Sequence, residues 1–542
     1  MLQPASDYDT LKARFRWALP DTYNMAGAIS DGWASRDPDR LAIRHVLADG
    51  SCQDWSHAAL NRAANRFANA LQGCGIAPGD RVALLLPQLP QTAITHLAAY
   101  KTGAIAVPLA SLFGLEALRY RLADSGARAL VTDAAGLQKL AMIRDELPGL
   151  EVVVSVDGPQ AGVAGFDALL SAASDRFETL ATTPDDPALM IYTSGTTGQP
   201  KGVLHGHRVL LGHMPGIELS QNFLGRDGDM FWTPADWAWA GGLLNALFPA
   251  LALGVPVVCH AARKFDPEFA FRFLESQRIR NAFIPPTALK MLRSVETPGS
   301  RFKLDLRSVG SAGEALGTET YDWFLEEFDF PVNEFYGQTE CNAVLGSASE
   351  LGVSRSGAIG KATPGHDVAI IDGDGRPLPP ESLGQIAIRR PDPVMFLEYW
   401  NKPEATAEKF VGDWMITGDQ GLMDEDGYVH FVGRDDDIIT SASYRIGPGE
   451  IEDCLLRHPA IALAAAIGKP DPLRTEIVKA YVVLNPGQSA GTDLENDIRA
   501  FVRERLSAHE YPREIEFVDT LPMTTTGKII RRKLREQASA GG

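Results

Sequence analysis

Positive charge is scarce in this chain, cysteine is scarcer, and long apolar runs are missing. Its 542 residues carry 51 Lys and Arg against 69 Asp and Glu, a formal net charge of -18. That balance argues against a general nucleic-acid binder, which needs clustered cations in excess over acids. Any anionic ligand must be held by local features. The five cysteines, Cys52, Cys74, Cys259, Cys341 and Cys454, are odd in number, widely scattered and without a C-x-x-C pair. They read as reduced packing residues rather than disulfides or metal ligands. No segment approaches the ~20 apolar residues of a membrane span, so no membrane insertion is expected. The opening MLQPASDYDTLKARFRW mixes acids and bases before any apolar run and does not read as a signal peptide, so the expected location is cytoplasmic. A Walker A loop is also missing: none of the Gly-Lys pairs at 360, 468 and 527 has both the upstream Gly and the following Ser or Thr.

What is present is ordinary globular composition, 45% hydrophobic and 22% charged, in a chain long enough for at least two domains. From about residue 75 to 330, short β-rich apolar runs precede helix-compatible stretches: RVALLLP then QTAITHLAAYKTG, followed by AIAVPL, ARALVTD, ALMIYTS, VPVVC, NAFIPP then TALKML, and RSVGSAG. This alternation predicts parallel α/β sheets with crossover helices, whose ligands gather at the carboxyl ends of strands. After residue 360, HDVAIIDGDGRPLPP, GQIAIRR and GYVHFVG are short strands broken by Gly and Pro, which suggests a small antiparallel or barrel-like subdomain. Residues 436–542 read as a smaller α+β unit, with ALAAAIGKPD and KAYVVLN strands and an amphipathic helix near DLENDIRAFVRERL. The expected division is a large domain over 1–435 and a small one over 436–542.

The strongest local signal is Tyr192 to Val203, YTSGTTGQPKGV, directly after the strand-like ALMI. The small residues Thr193, Ser194, Gly195, Thr196, Thr197 and Gly198 let consecutive N–H groups turn inward as an anion nest, and Lys201 adds a cation. A phosphate cradle is the reading. The chain here resembles the adenylate-forming superfamily of acyl-CoA synthetases, luciferases and peptide-synthetase adenylation domains, from roughly Trp33 to Arg535. Further motifs follow in that superfamily's order: SAGEAL at 311–316, FYGQTE at 335–340, TGD at 417–419, GRDDDIITSASYRIGPGEIE at 433–452 and PMTTTGKIIRRKL at 522–534.

The resemblance implies an ATP-dependent, AMP-forming ligase that makes an acyl-adenylate and then an acyl-CoA, using ATP, Mg²⁺ and coenzyme A. Joining a carboxylate to the α-phosphate brings two anions together, so the site must neutralise charge on phosphate oxygens. By resemblance Lys528 bridges the carboxylate and the α-phosphate, Thr339 touches that phosphate and Glu340 binds Mg²⁺. Tyr336 offers an aromatic face to adenine beside Gly337 and Gln338, and the Gly313-Glu314-Ala315 turn approaches the base. Asp419 accepts from the ribose hydroxyls with Arg434 nearby. Asp436 corresponds to a hinge on which the small, mobile domain swings between half-reactions. Tyr444 and Arg445 then face the pantetheine tunnel, where Ser443 stands in place of a usual glycine; its Cβ is expected to slow transfer to the thiol.

For the acid, Gly337 occupies the position where acetyl-specific relatives carry a tryptophan, so something larger than acetate is expected: a short- to medium-chain, branched or aromatic monocarboxylate. Ala240, Gly241 and Ala312 are small lining candidates, and Trp237, Trp239 and His207 supply walls, although both tryptophans also read as core packing; His207 is also counted with Lys528, Thr339 and Glu340 among the expected catalytic residues. The closest resemblance is to medium-chain acyl-CoA synthetases. The enzymatic alternative is a stand-alone adenylation enzyme loading a carrier-protein thiol. Expected partners are small molecules, a lysine acetyltransferase and deacetylase acting on Lys528, and a second copy of the chain in a homodimer.

Overall fold

A computed structural model describes residues 1–193, 199–261, 265–435, 437–441, 444–471, 475–506, 511–524 and 528–540, with backbone alone at 440, 444, 445 and 540. Two large sheets carry the body of the protein. In the first, an eight-stranded sheet, Ile105–Pro108, Arg81–Leu85, Ala127–Thr132 and Val152–Ser155 run parallel, and Pro187–Thr193 joins the first of these in the same direction. These strands are apolar along almost their whole length because crossover helices bury both faces. The helix Pro90–Thr102 shows how sharply such a crossover is bounded. Pro90 opens it with φ already suited to a helix, and Gly103 closes it at φ 73°.

The second sheet has nine strands, with Ser308–Ser311, Asn281–Phe283, Phe231–Trp232 and Val257–Cys259 parallel at its centre. At one edge it turns antiparallel, as Asn333–Gln338 folds back on Cys341–Gly346. Both large sheets are therefore mixed rather than purely parallel. Helices sandwiched between them form a core that includes Phe67, Leu97, Phe231, Trp237, Phe248 and Phe335.

After residue 360 the strands Val368–Ile371, Gly384–Arg389, Trp414–Met423, Phe410–Val411 and Val429–Arg434 make an antiparallel sheet. It stays open: among the described residues no strand pairs its two edges, so the barrel-like expectation resolves to an open sheet. The carboxyl-terminal unit is built on Ile461–Asp471 paired antiparallel with Thr475–Leu484, flanked by Ile439–Ser441 and Glu514–Phe517. Helix Thr492–Arg505 lays Ile498 and Val502, one turn apart, onto it. Among the described residues no helix is long and apolar enough to cross a membrane.

Near the junction the contacts run both ways, and the Asp437 N–H itself donates to Arg434 O at 3.0 Å. Asp435 is tied to the large domain, its N–H donating to Gly418 O at 2.9 Å and its carboxylate accepting from Gln385 and Gln420. The Asp437 carboxylate pairs with Arg531 at 3.5 Å and Arg535 at 2.7 Å, both of the small domain. Asp436 lies outside the described residues.

Candidate active site

The site forms where the edge hairpin of the second sheet meets the open antiparallel sheet. Gln338 pairs with Cys341, so Thr339 and Glu340 make the two-residue connection of that hairpin, placed at the end of a strand as the α/β rule requires. Glu340 is buried, and its Oε1 accepts from Tyr399 Oη at 2.5 Å. The other face of the Tyr399 ring carries Lys201, whose Nζ lies 4.8 Å from its centroid. Tyr399 thus joins the cation of the glycine-rich loop to the carboxylate of the hairpin. The loop residues Ser194 to Gly198 lie outside the described residues; Thr193 ends the preceding strand, opposite Lys201.

On the facing sheet Asp419 stands opposite Arg434, with Nη1 3.8 Å from Oδ1. Its Oδ2 accepts from Tyr336 Oη at 2.5 Å and Gln338 Nε2 at 2.7 Å. Burial raises the Asp419 pKa, against the pull of Arg434, Tyr336, Gln338 and Lys409. Lys409 is a member that sequence reasoning missed. Its Nζ donates to Ile416 O at 3.1 Å and to Gln338 Oε1 and Thr417 O at 3.4 Å each. Burial lowers its pKa while Glu340 and Asp419 raise it, so one ammonium sits behind both carboxylates.

Lys528 comes from the small domain. Its turn is closed by Thr524 N donating to Lys528 O at 2.7 Å and Lys528 N donating to Thr524 Oγ1 at 3.0 Å; the intervening 525–527 are outside the described residues. The side chain is exposed to water, yet surrounding protein lowers its pKa, with Glu314, Asp419 and Glu340 raising it and Arg434 lowering it. The small domain is therefore docked so that Lys528 feels the carboxylates of the large one. Docking contacts include Asp453 Oδ2, which accepts from Thr318 N at 3.3 Å, and Arg457, which donates to Thr318 Oγ1. Asp453 thereby caps the helix Thr318–Phe328, which has no side-chain cap of its own.

Other expected residues fall as follows. Gly313, at φ 106°, is open to solvent with nothing within 4 Å of a would-be Cβ, and Glu314 Oε2 accepts from Thr287 Oγ1 at 2.9 Å, with Ala315 exposed beside them. Ala312 is buried, and Ala240 is half-buried against the same core. Gly241 backs onto Phe283, 3.0 Å from its would-be Cβ. At Gly337 a Cβ would meet Asn342 Cα at 2.3 Å, so glycine there lets the hairpin strands close. Trp237 is wholly buried in the main core, whereas Trp239 packs edge-on against Phe113. His207 is buried away from the hairpin: its Nδ1 accepts from Met25 N at 3.2 Å, its ring meets Tyr100, and burial holds its pKa down at about 4. Because Met25 N–H can only donate, the neutral ring carries its proton on Nε2. His205, near the end of the preceding strand Lys201–Gly206, lies near the Thr339 backbone without a well-formed hydrogen bond. Ser443 is outside the described residues, as are the side chains of Tyr444 and Arg445.

Glu340 fits a Mg²⁺ partner, since its Oε2 accepts from none of the described residues and Mg²⁺ takes one or two protein carboxylates with phosphate and water completing its shell. Among the described residues no cluster of three or more metal-binding side chains exists.

A cation carried by one domain near buried carboxylates of the other, with Lys201 over the tyrosine that binds one of them, points to an enzyme acting on an anionic ligand at a domain interface. The chain belongs to the AMP-binding enzyme family: the model for AMP-binding enzymes matches residues 31–400 and that for their carboxyl-terminal domain 450–528. Within it the chain is an acyl-coenzyme A synthetase, an AMP-forming acid:thiol ligase. It is 34% identical over 537 residues to the mitochondrial acyl-coenzyme A synthetase ACSM5 of Mus musculus, covering 96% of this chain and 92% of that one. The solved anthranilate CoA ligase AuaEII in complex with anthranoyl-AMP superposes at TM-score 0.88 and 28% identity, covering 96% of this chain and 98% of that one. The Brucella canis acyl-CoA synthetase gives 0.76 and 34%, with 99% of each covered.

Proposed function

We propose that this ligase activates a short- to medium-chain, branched or aromatic monocarboxylate larger than acetate, with Lys528 as the group that joins it to the nucleotide. The observation carrying this reading is Lys528 itself, presented across the domain boundary within electrostatic reach of Glu340, Asp419 and Arg434. A carboxylate oxygen attacks the α-phosphorus of ATP, pyrophosphate leaves, and Lys528 offsets charge on the carboxylate and α-phosphate oxygens. Mg²⁺ held by Glu340 would neutralise the triphosphate. Asp419 accepts from ribose, using the oxygen that faces Arg434, and Thr339 lies against the α-phosphate.

Room for the acyl chain comes from the small side chains at Ala240, Gly241 and Ala312. Gly337 answers first to the close approach of Asn342. AMP release with ATP and coenzyme A, measured for acids from acetate to decanoate, branched acids and benzoate, tests this reading. Acetate should be the poorest substrate, and a preference for acetate contradicts it.

For the second half-reaction the thiol sulfur attacks the acyl carbon, AMP leaves and the thiol proton passes to solvent. The small domain must swing for this step, and Asp436, between an Asp435 bound to one domain and an Asp437 whose carboxylate pairs with the other, is our hinge. Coenzyme A is favoured over a carrier-protein thiol by a cavity of about 360 Å³ on the small domain lined by Asn496, Arg499, Ala500, Arg503, Tyr511 and Arg513. Three guanidinium groups beside a phenol suit the phosphates and adenine of that thiol. Arg503→Ala should raise KM for coenzyme A while leaving acid-dependent pyrophosphate exchange intact. Because water reaches Lys528, a modifying enzyme could acetylate it and so remove the charge that adenylation needs.

A further inference from the structure

The elements bearing the small acyl-pocket residues are joined by a polar contact in otherwise apolar surroundings. Asn245 sits in the π-helical turn Leu243–Leu247, directly after Ala240–Gly242, and Asn342 sits on the strand behind Gly337. The two side chains are 3% and 6% exposed, and Asn342 Nδ2 donates to Asn245 Oδ1 at 2.8 Å. A Cβ at Gly337 would approach Asn342 Oδ1 to 2.7 Å, so this amide lies immediately behind the glycine of the hairpin. Ala343 beside Asn342 is buried, and Asn245 shares its turn with the buried Leu243, Leu244, Ala246 and Leu247.

The local backbone is bent to hold this arrangement. Ala343 has φ 56°, a left-handed conformation that a residue with a Cβ rarely adopts, and its N–H donates to Asn342 Oδ1 at 2.9 Å. Helix packing makes way as well: a Cβ on Gly216 would fall 2.3 Å from Ala343 O. π-Helical turns and non-glycine positive φ values concentrate at functional positions, because packing must hold them in place.

Hydrogen-bond accounting supplies the direction. Each carboxamide carries two N–H donors, and among the described residues only one of the four finds an acceptor. Asn245 Oδ1 accepts from Asn342 and Asn342 Oδ1 from the Ala343 N–H, one hydrogen bond each. The Asn245 amide nitrogen therefore has no acceptor among the described residues and is the donor that the pair leaves to a ligand.

We propose that Asn245 and Asn342 form a hydrogen-bonding floor to the acyl pocket, selecting an acid that bears a neutral oxygen acceptor, such as a keto or ether oxygen, along its chain. The proposal rests on the ligase reading and adds the chemistry of the acyl chain to it. A plain alkyl chain leaves the donors unpaired, whereas an oxygen at the right depth satisfies them, and sites built this way discriminate strongly against analogues lacking the group. The test compares hexanoate with 4-oxohexanoate and 5-oxohexanoate, equal in length, by kcat/KM in acid-dependent pyrophosphate exchange. Wild-type protein should favour one of the oxo acids by at least ~10-fold. Asn245→Leu and Asn342→Leu should each lower the ratio of its value to that of hexanoate at least ~10-fold. Equal use of all three acids by wild-type protein overturns the proposal whatever the variants do. So does an equal loss for all acids in variants that unfold like wild type. Exchange with none of a broad panel of acids would contradict the ligase reading itself.

Discussion

Lys409→Met is the perturbation whose consequence follows most closely from the geometry. Methionine keeps the length and flexibility of the side chain and removes the charge. In the native protein the ammonium donates to Ile416 O, Thr417 O and Gln338 Oε1 over 3.1 to 3.4 Å, distances toward the weak end for such bonds. Hydrogen bonds to a charged group contribute ~1.5–3 kcal/mol each at normal length, so three long ones sum to about 3 kcal/mol. That agrees with the ~3–5 kcal/mol lost when one partner is stripped from a buried charge arrangement. The loss should divide between folding and nucleotide binding, because Gln338 also holds Asp419 in place. About half of it, near one pKa unit of free energy, corresponds to a roughly tenfold rise in KM for ATP. Steady-state AMP release across ATP concentrations reads the KM, and thermal unfolding reads the rest. Lys409→Arg, which keeps the charge without the compact ammonium, should fall between the two. An unchanged KM together with unchanged unfolding would refute the reasoning.

The docking face supplies two more predictions. Glu334, which accepts from Leu316 N at 3.1 Å, is pushed up from 4.5 to about 8 by burial, with Asp453 adding to the rise and Lys290 opposing it. Between pH 4.5 and 8 the folded state holds a proton that the unfolded state has released, so stability falls as pH rises through that window. Glu334→Gln should flatten this fall, leaving the variant more resistant to heat than wild type at pH 9 and similar at pH 5; parallel curves would count against the assignment. Asp453→Ala removes a helix cap supplied across the domain boundary and worth ~1 kcal/mol, so adenylation should slow about fivefold while thioester formation from a supplied acyl-adenylate is spared. A loss confined to the thioester step would reverse that role for the contact.

Much of this architecture is legible in the chain, and the reasons it stops being legible are physical. Strands such as ARALVTD and ALMIYTS announce themselves because burial on both faces demands continuous apolar residues, and Pro90 and Gly103 punctuate their helix through backbone preference alone. The antiparallel turn at 338–341 and the open edges of the sheet over 368–434 depend on pairing between distant segments, which local pattern does not carry. Lys409 is the clearest case among the site residues. In ATAEKFVGDW it reads as a solvated charge, and only folding brings Ile416, Thr417 and Gln338 around it. Tyr399 and the Asn245–Asn342 contact are hidden for the same reason. Gly337 illustrates a different limit: sequence marks it as small, but the structure shows smallness serving the approach of Asn342 before it serves a ligand. Trp237 and Trp239, equivalent as letters, separate into a core residue and a half-buried one packed edge-on against Phe113.

The central claim is that Lys528, carried by the small domain, acts in forming the acyl-adenylate and not in transfer to the thiol. Its most direct test is Lys528→Ala, assayed in two ways on one preparation: acid-dependent pyrophosphate exchange, and acyl-CoA formation from a chemically prepared acyl-adenylate. Exchange should drop ~10²–10³-fold, the loss expected for one preorganised charge, while acyl-CoA formation from the adenylate stays within a few fold of wild type. Unchanged exchange, or an equal loss in both assays, would contradict the account.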